Sequence, residues 1–393
     1  MKLTDIIDLY GLGMSPALRV AFIKTLEALL PPLRHLPLPV RFRASGALAA
    51  WLAVFDVVPS TAEAHELLAD PIMPPWVTHA SFLLAMQPLI TIPTHSFAIA
   101  EPWVQSMLKL SSGLLAFWLR PNVIYEPTLA LGGLLGGVDM SQDLPMQLLR
   151  PTVSTLCIVP PWQQRHLCAD ASAIQIFSHT VTVEEHPAKR GLTWVVQKAN
   201  AKDVSFLELL LLVKDENETL ASVLARALAP EDGSTIDDVL GREVADARMQ
   251  RWKLVLDYSI KILLYLSLED AAIREHKPYT AAPKEFPGLG RRKREARMAE
   301  VNQQYDRCIV GPASAAQWAG EQATQLGENG QVSAHWRRGH FRLQPHGPQS
   351  SLRKVLFIMP TVVRADRLEL SVPLDSRQIP VVDKEPPNTP RRT

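Results

Sequence analysis

The chain has few cysteines and lacks the motifs of common catalytic and metal sites. Cys157, Cys168 and Cys308 are odd in number among 393 residues and show no Cys-x-x-Cys spacing, which argues against a disulfide framework and a structural zinc site. The sequence contains no Gly-x-x-x-x-Gly-Lys-Ser/Thr loop and no Gly-x-Ser-x-Gly elbow. These absences predict a protein without cofactor or metal, and the cysteine pattern fits a reducing cytoplasm.

The chain also lacks an excess of charge and a long apolar run. It has 41 Lys and Arg against 40 Asp and Glu, so an electrostatic partner must meet a local patch rather than a general field. The start MKLTDIIDLYGLGMSP carries acids where a secretory signal has a basic region, and the run GALAAWLAVFDVV is shorter than a bilayer span. Because 47% of the residues are hydrophobic, we expect a soluble, globular protein.

The pattern of apolar residues changes near residue 150. Before it, helical spacing dominates, as in SPALRVAFIKTLEALLPP, where Ser15 suits a cap and Pro16 a first turn. After it, β-branched runs predict strands, and AIQIFSHTVTVEE with LTWVVQKA predicts a hairpin. The glycines of LGGLLGGVDM at 131–140 predict a hinge between the two halves. We therefore expect a fragment that begins near residue 141 to fold alone.

The predicted fold class is α+β, with an all-helical N-terminal domain followed by an antiparallel-sheet α+β domain that contains a long buried helix. The predicted ranges are 1–140 for the helical domain, 141–370 for the α+β domain and 371–393 for a disordered tail. The long helix is expected at roughly 243–270, where RWKLVLDYSIKILLYLSLED is apolar nearly all round. The stretch HKPYTAAPKEFPGLGRRKREARM that follows it is predicted to be a long exposed loop.

Two late strands, VSAHWRRGHFRLQ and LRKVLFIMPTVV, predict a basic hairpin. Seven Arg or Lys lie between residues 332 and 367, opposed only by Asp366. Arginine forks suit phosphate oxygens and exposed aromatic rings can stack on unpaired bases, which favours a single-stranded RNA surface. The predicted nucleic-acid-binding residues are Trp336, Arg337, Arg338, His340, Phe341, Arg342, Arg353 and Lys354. The alternative is a solvated strand face whose arginines pair with acids elsewhere in the chain.

The same hairpin carries the candidate catalytic residues, His335 and His340. In a metal-independent ribonuclease they would act as acid and base, with nearby arginines stabilising the charge on the phosphate. Residues five apart on a regular strand face opposite sides, so the two histidines could cooperate only if Gly339 hosts a bulge. We therefore rank binding above catalysis.

The stretch RRGHFRLQPHG, followed by a strand that ends in FIMPTVV and preceded by SIKILLYLSLEDAAI, resembles the C-terminal part of an anti-CRISPR family. That family comprises phage and plasmid proteins that lower the level of the type V-A CRISPR effector nuclease. The similarity covers roughly residues 150–365. Arg337, Arg338, Gly339 and His340 match the motif as they stand, whereas the family favours Trp where this chain has Phe341.

The resemblance implies recognition of the nascent effector chain and loss of its messenger RNA. We therefore expect a phage- or plasmid-derived inhibitor in the cytoplasm of the bacterial host, with a protein target and with action at the messenger RNA or the ribosome through the hairpin. Two alternatives stay open. One is a ribonuclease or toxin-like enzyme with its site on the hairpin, and the other is a purely protein-binding module whose arginines meet an acidic partner.

Overall fold

The computed structural model describes most of the chain in nine ranges. They are residues 12–139, 144–181, 189–199, 204–228, 242–313, 335–337, 339–350, 352–358 and 361–363. The predicted tail, 371–393, lies outside them.

The N-terminal part is mainly helical, as predicted. Its helices are α1 (Pro16–Leu29), α2 (Leu38–Ala44), α3 (Ala47–Val57), α4 (Ala62–Ala69), α5 (Pro75–Met86) and α6 (Phe97–Leu119). The first helix begins as the sequence indicates, because the Leu18 amide donates to the Ser15 hydroxyl at 3.4 Å and Pro16 takes the first helical position. We call α1 to α6 the helical layer. No single helix in the described ranges is long and apolar enough to cross a membrane, although the bent pair of α2 and α3 meets the length and composition criteria.

The remaining helices are α7 (Leu129–Gly136), α8 (Leu220–Ala227), α9 (Arg242–Leu266), α10 (Pro278–Ala281) and α11 (Arg291–Gln303). The first seven strands are β1 (Gly13–Met14), β2 (Ile90–Thr91), β3 (Asn122–Pro127), β4 (Val138–Asp139), β5 (Thr155–Ile158), β6 (Ala173–Val181) and β7 (Lys189–Ala199). The others are β8 (Val204–Val213), β9 (Ile273–His276), β10 (Arg307–Val310), β11 (His335–Arg337), β12 (Gly339–His346), β13 (Leu352–Ile358) and β14 (Thr361–Val363).

The main sheet has seven strands in the order β8-β7-β6-β5-β3-β10-β9. The predicted α+β class is confirmed, and the predicted hairpin of β6 and β7 is present with Ile176 opposite Trp194. The sheet is mixed rather than wholly antiparallel, because β3 pairs in parallel with both β5 and β10. Its other pairs are antiparallel.

Strand β3 bears on the predicted domain boundary at residue 140, which stays a prediction. It lies within the range predicted to be all-helical, yet it is flanked on both sides by strands from the later part of the chain. The glycines predicted to form a hinge instead belong largely to α7, whose Leu131 and Leu135 are buried. Gly132 is needed for close approach, since a Cβ there would come within 1.8 Å of Gln164 Oε1. Packing thus outweighs the low helix propensity of glycine at this position.

The helical layer and α9 bury opposite faces of the sheet. Phe177 on β6 packs within the core of the helical layer. On the other face Trp194 packs against α9, and its indole nitrogen donates to the Ser259 hydroxyl at 2.9 Å. The long buried helix predicted at 243–270 is therefore confirmed as α9.

Residues predicted to form a long loop after α9 instead contain α10 and α11. The basic sequence RRKREARM lies in α11, which is almost wholly exposed and has only Val301 buried. Because such a helix has no apolar stripe, its sequence lacks the periodicity that predicts a helix.

Arg43 of the helical layer holds this late segment in place. Its guanidinium lies 4.8 Å from the Trp118 ring centroid and 3.6 Å from that of Tyr279, and it donates to the backbone carbonyl of Gln304. Burial lowers the pKa of Arg43 from its ordinary value, while nearby Tyr279 and Asp306 oppose that shift. The contacts with two aromatic rings and one carbonyl thus offset the free-energy cost of partly removing the Arg43 guanidinium from water.

His179 is buried where β6 meets the helical layer. Its Nε2 lies 2.8 Å from Thr193 Oγ1, and the edge of Trp76 covers the ring at a centroid distance of 5.0 Å. Its Nδ1 has no hydrogen-bond partner among the described residues. Gly191 makes room for the ring, because a Cβ there would lie 2.1 Å from His179 Cε1. Burial, helped by the charge of Arg120, lowers the pKa of His179 to about 4.

The position of β3 reverses our expectation from the sequence: a fragment that begins near residue 141 should not fold alone. It would lack β3, so β5 and β10 would lose their common neighbour, and the face that carries Phe177 would be exposed to water. Circular dichroism and hydrogen exchange of the purified fragment check this. A stable proteolytic product of the full chain that starts near residue 141 would contradict it.

Acid should destabilise the protein through His179. The unfolded state takes up a proton near pH 6.5, whereas the folded histidine does so only near pH 4, so stability is complete above pH 6.5 and is lost as the pH falls toward 4. The loss from this group between pH 6.5 and 4.5 should be about 2 to 3 kcal/mol. Urea unfolding across this range measures it, and His179→Gln should flatten the profile. Equal pH profiles for the two proteins would contradict the assignment.

Candidate functional site

The predicted C-terminal hairpin is present as two strand pairs, β11 with β14 in one sheet and β12 with β13 in another. His335 pairs with Val363 and Arg337 with Thr361, and three residues further along each strand His340 pairs with Ile358. Residue 338, which joins β11 to β12, lies outside the described residues, so the bulge proposed at Gly339 stays a prediction. Gly339 starts β12, where it pairs in parallel with Val138 of β4. The register gives no support to the cooperation of His335 with His340 in catalysis.

The structure places Phe341 in the core. Its side chain is 1% exposed, and its ring centroid lies 5.0 Å from that of Phe357, which in turn meets Tyr265 of α9 at 6.4 Å. The predicted role of Phe341 as a stacking face for bases does not fit this burial. Its position shows instead how the hairpin is anchored on α9.

The opposite face of the hairpin carries Arg342, which is exposed, and Lys354, which is half-buried. On this outward face Arg342 lies diagonally across from Lys354, because Arg342 pairs with Leu356 and Gln344 with Lys354. The side chain of Arg342 has no hydrogen bond or ion pair with any residue that the structure describes. The Lys354 Nζ lies 3.9 Å from Glu269, whose side chain is 85% exposed, so this pair is well solvated and weak. The pattern leaves two cations available on one surface.

The other predicted residues are not all on this surface. His340 is half-buried and lies on the same face of the hairpin as Arg342, because the two are an even number of residues apart on one strand. Arg353 pairs with Pro345 and lies on the other face. The backbone of His335, Trp336 and Arg337 forms β11. Arg338 lies outside the described residues.

A second site, which the sequence did not predict, is a cleft between the helical layer and the sheet. Its sheet wall contains a row of paired residues, Gln175, Val195 and Glu208, on three adjacent strands. The helical wall comes from the first turn of α5 and from the stretch of α6 between Lys109 and Ala116. The cleft is small, with a volume of about 40 Å³, which is room for a few water molecules.

Four polar side chains of this cleft form two pairs. The Lys109 Nζ contacts Glu208 Oε2 at 2.8 Å. His79 Nδ1 lies 3.1 Å from Ser112 Oγ, and that hydroxyl also donates to the carbonyl of Lys109 at 2.9 Å. Burial and the nearby charge of Lys109 lower the pKa of His79, which favours the neutral imidazole at neutral pH. The cleft therefore presents little net charge.

No arrangement in the described ranges indicates metal chemistry. Within them, no group of three or more His, Cys, Asp or Glu side chains could hold a metal ion. Cys157 and Cys168 are buried, and burial raises the pKa of both thiols, that of Cys168 to about 12. They are small core residues rather than nucleophiles at neutral pH.

The family model of the anti-CRISPR type V subtype A2 family, AcrVA2-like, matches residues 125–365, which is well over half of the chain. The chain belongs to this anti-CRISPR family. No curated protein and no solved structure gives a significant match. The matched range starts inside β3 and includes the rest of the main sheet, α9 and the hairpin, so the predicted resemblance is confirmed. Residues 1–124, which include the helical layer, lie outside the match.

Phe341→Ala should destabilise the fold by about 3 to 5 kcal/mol, because it removes a ring that is almost fully buried. Arg342 follows Phe341 in the sequence but is exposed, so Arg342→Ala should change the free energy of unfolding by no more than about 0.5 kcal/mol. Denaturant unfolding of both variants measures the difference. Unchanged stability of Phe341→Ala would show that the ring does not hold the hairpin on α9.

Proposed function

We propose that this chain is a phage- or plasmid-derived inhibitor of type V-A CRISPR immunity that binds the effector nuclease as a nascent chain and acts at its messenger RNA or the ribosome. Family membership supports an anti-CRISPR inhibitor with a protein partner such as a CRISPR effector. The matched range contains the whole described hairpin, which makes this element a natural candidate for the family's activity. The inhibitor would act in the cytoplasm of the bacterial host.

The observation that carries the RNA part of the proposal is the outward face of the hairpin. Arg342 and Lys354 lie next to each other on a regular two-stranded surface, and neither is neutralised by a close, buried acid among the described residues. Arginine and lysine both bind phosphate oxygens, so two neighbouring cations on one face suit a phosphate backbone. His340 adds a hydrogen-bonding group to the same face.

A purely protein-binding hairpin is the second candidate. Within the described residues, β13 is an edge strand of the three-stranded sheet β13-β12-β4. An extended segment of a protein target could therefore pair with its backbone, and the partly buried Leu356 and Ile358 would add apolar contacts beside the cations. This candidate needs no RNA.

In cells that produce a type V-A effector, the wild-type protein should lower the levels of the effector and of its messenger RNA. The double substitution Arg342→Ala with Lys354→Ala should restore both levels.

With purified protein and a labelled single-stranded RNA, affinity should fall with salt by about 0.7 log units per log unit of salt for each phosphate neutralised. Each alanine should flatten that slope by about the same amount. Lys24→Ala, on α1 and outside the family match, is the control and should change neither result.

An unchanged effector level in the presence of wild-type protein would contradict the inhibitor proposal. If the effector falls but the purified protein binds no RNA, or binds it independently of salt, the protein-binding hairpin becomes the better account. If wild-type protein alone cuts the RNA and His340→Ala abolishes the cutting, the ribonuclease alternative takes first place.

A further inference from the structure

Three arginines come together where the segment before α2 meets the chain that follows β5. Arg34 precedes α2 and is exposed, Arg41 belongs to α2 and is only 3% exposed, and Arg165 is half-buried. Val159, directly after β5, packs against the core cluster that contains Leu36. This packing brings the two segments of the chain side by side.

No acid neutralises these arginines within the described residues. The chain has no Asp or Glu in residues 28–55 or in residues 144–169. The side chains of Arg34 and Arg165 make no hydrogen bond or ion pair with any residue that the structure describes. Burial, together with the charges of Arg165 and Arg34, lowers the pKa of Arg41 to about 10. Like charges that are close together and unneutralised favour the binding of an anion.

Arg41 holds this group in place from below the surface. Its Nε donates to the Leu36 carbonyl and its Nη2 donates to the Arg34 carbonyl, both at 2.6 Å. These bonds fix the backbone that carries Arg34, and the buried charge adds to the positive potential there. The Nε of Arg165 is buried and has no hydrogen-bond partner among the described residues. A buried donor without a partner costs free energy that a bound acceptor would recover.

An exposed aromatic ring lies beside the arginines. Trp162–Cys168 form a 3₁₀ helix, in which side chains three residues apart lie one above the other. Trp162 is therefore on the same side of this helix as Arg165, about 6 Å along its axis. The indole is 74% exposed. Arginine forks suit phosphate oxygens and an exposed indole face suits a base, so this pair of groups fits a nucleotide. An acidic peptide would use the arginines and leave the indole uncovered.

We propose that Arg34, Arg165 and Trp162 bind one nucleotide of a single-stranded RNA, with the phosphate on the two guanidinium groups and the base stacked on the indole. Arg41 is a positioning residue. The inference rests on the proposed function only in taking RNA as the nucleic acid, and it places a second contact with RNA away from the hairpin. Because Arg34 lies outside the range that the family model matches, family membership does not imply this site.

The test uses Trp162→Ala, Trp162→Phe, Arg34→Gln and Arg165→Gln in the full chain. Each is made in wild type and in the double variant Arg342→Ala with Lys354→Ala, so that the hairpin cannot mask the result. Arg251→Gln, at an exposed arginine of α9, is the matched control. Fluorescence polarisation across a salt series measures binding of a labelled oligouridine of about 12 nucleotides and of the same oligomer without bases. Thermal unfolding shows which variants are folded.

Trp162→Ala should weaken binding of the oligouridine at least about fivefold, and Trp162→Phe should restore most of the affinity. Neither change should affect the oligomer without bases, which has nothing to stack. Arg34→Gln and Arg165→Gln should each flatten the salt dependence of both oligomers by about 0.7 log units per log unit of salt. Arg251→Gln should leave all of these values unchanged. If Arg165→Gln does not fold, the exposed positions Arg34 and Trp162 decide.

Equal affinity of wild type and Trp162→Ala for the oligouridine would overturn the proposal, and so would a wild-type protein that binds neither oligomer. Tighter binding of an oligoglutamate peptide than of the oligouridine, lost in Arg34→Gln, would assign the arginines to a protein partner and also overturn it. The proposed function is tested separately by the effector level in cells. If wild type lowers that level and the variants bind RNA as wild type does, only the site fails. If the variants lose RNA affinity but wild type leaves the effector unchanged, the site stands and the proposed function fails.

Discussion

The parallel pairing of β3 with β5 and β10 is the interaction on which the rest of the structure depends. Through it, a strand that directly follows the helical layer takes a central place in a sheet built mostly from later residues. The pairing also brings β10 beside Glu126. Glu126 forms a salt bridge with Arg307 at 3.0 Å and accepts a hydrogen bond from the Tyr305 hydroxyl. Both the cleft and the anchoring of the hairpin on α9 follow from this arrangement, because the sheet separates the helical layer from α9.

Helical and strand periodicity predicted the larger elements and missed those with weak patterns. Helix α1, the β6–β7 hairpin, α9 and the C-terminal hairpin were predicted because each buries a regular apolar face. Strand β3 was missed since NVIYEP is short and lies between helical patterns. Helix α11 was missed for the opposite reason, as it buries almost nothing and so shows no apolar period. The supposed hinge shows that glycine composition alone cannot separate a flexible link from close packing.

The candidate sites differ in how far the sequence could reveal them. The hairpin was visible because its residues are contiguous, but the order of charges along it could not show that Phe341 faces the core while Arg342 faces outward. The cleft was invisible because its walls come from α5, α6 and three strands that are far apart in the sequence.

The contact that Arg43 makes with Tyr279 and Gln304 has a consequence for how the molecule is made. Its two sides are separated by more than 230 residues, and β3 must likewise wait for β10 to be synthesised before its second neighbour exists. Native contacts of such sequence separation raise the contact order, which slows folding. The helical layer therefore leaves the ribosome long before its late partners do, and the native fold is completed only near the end of translation.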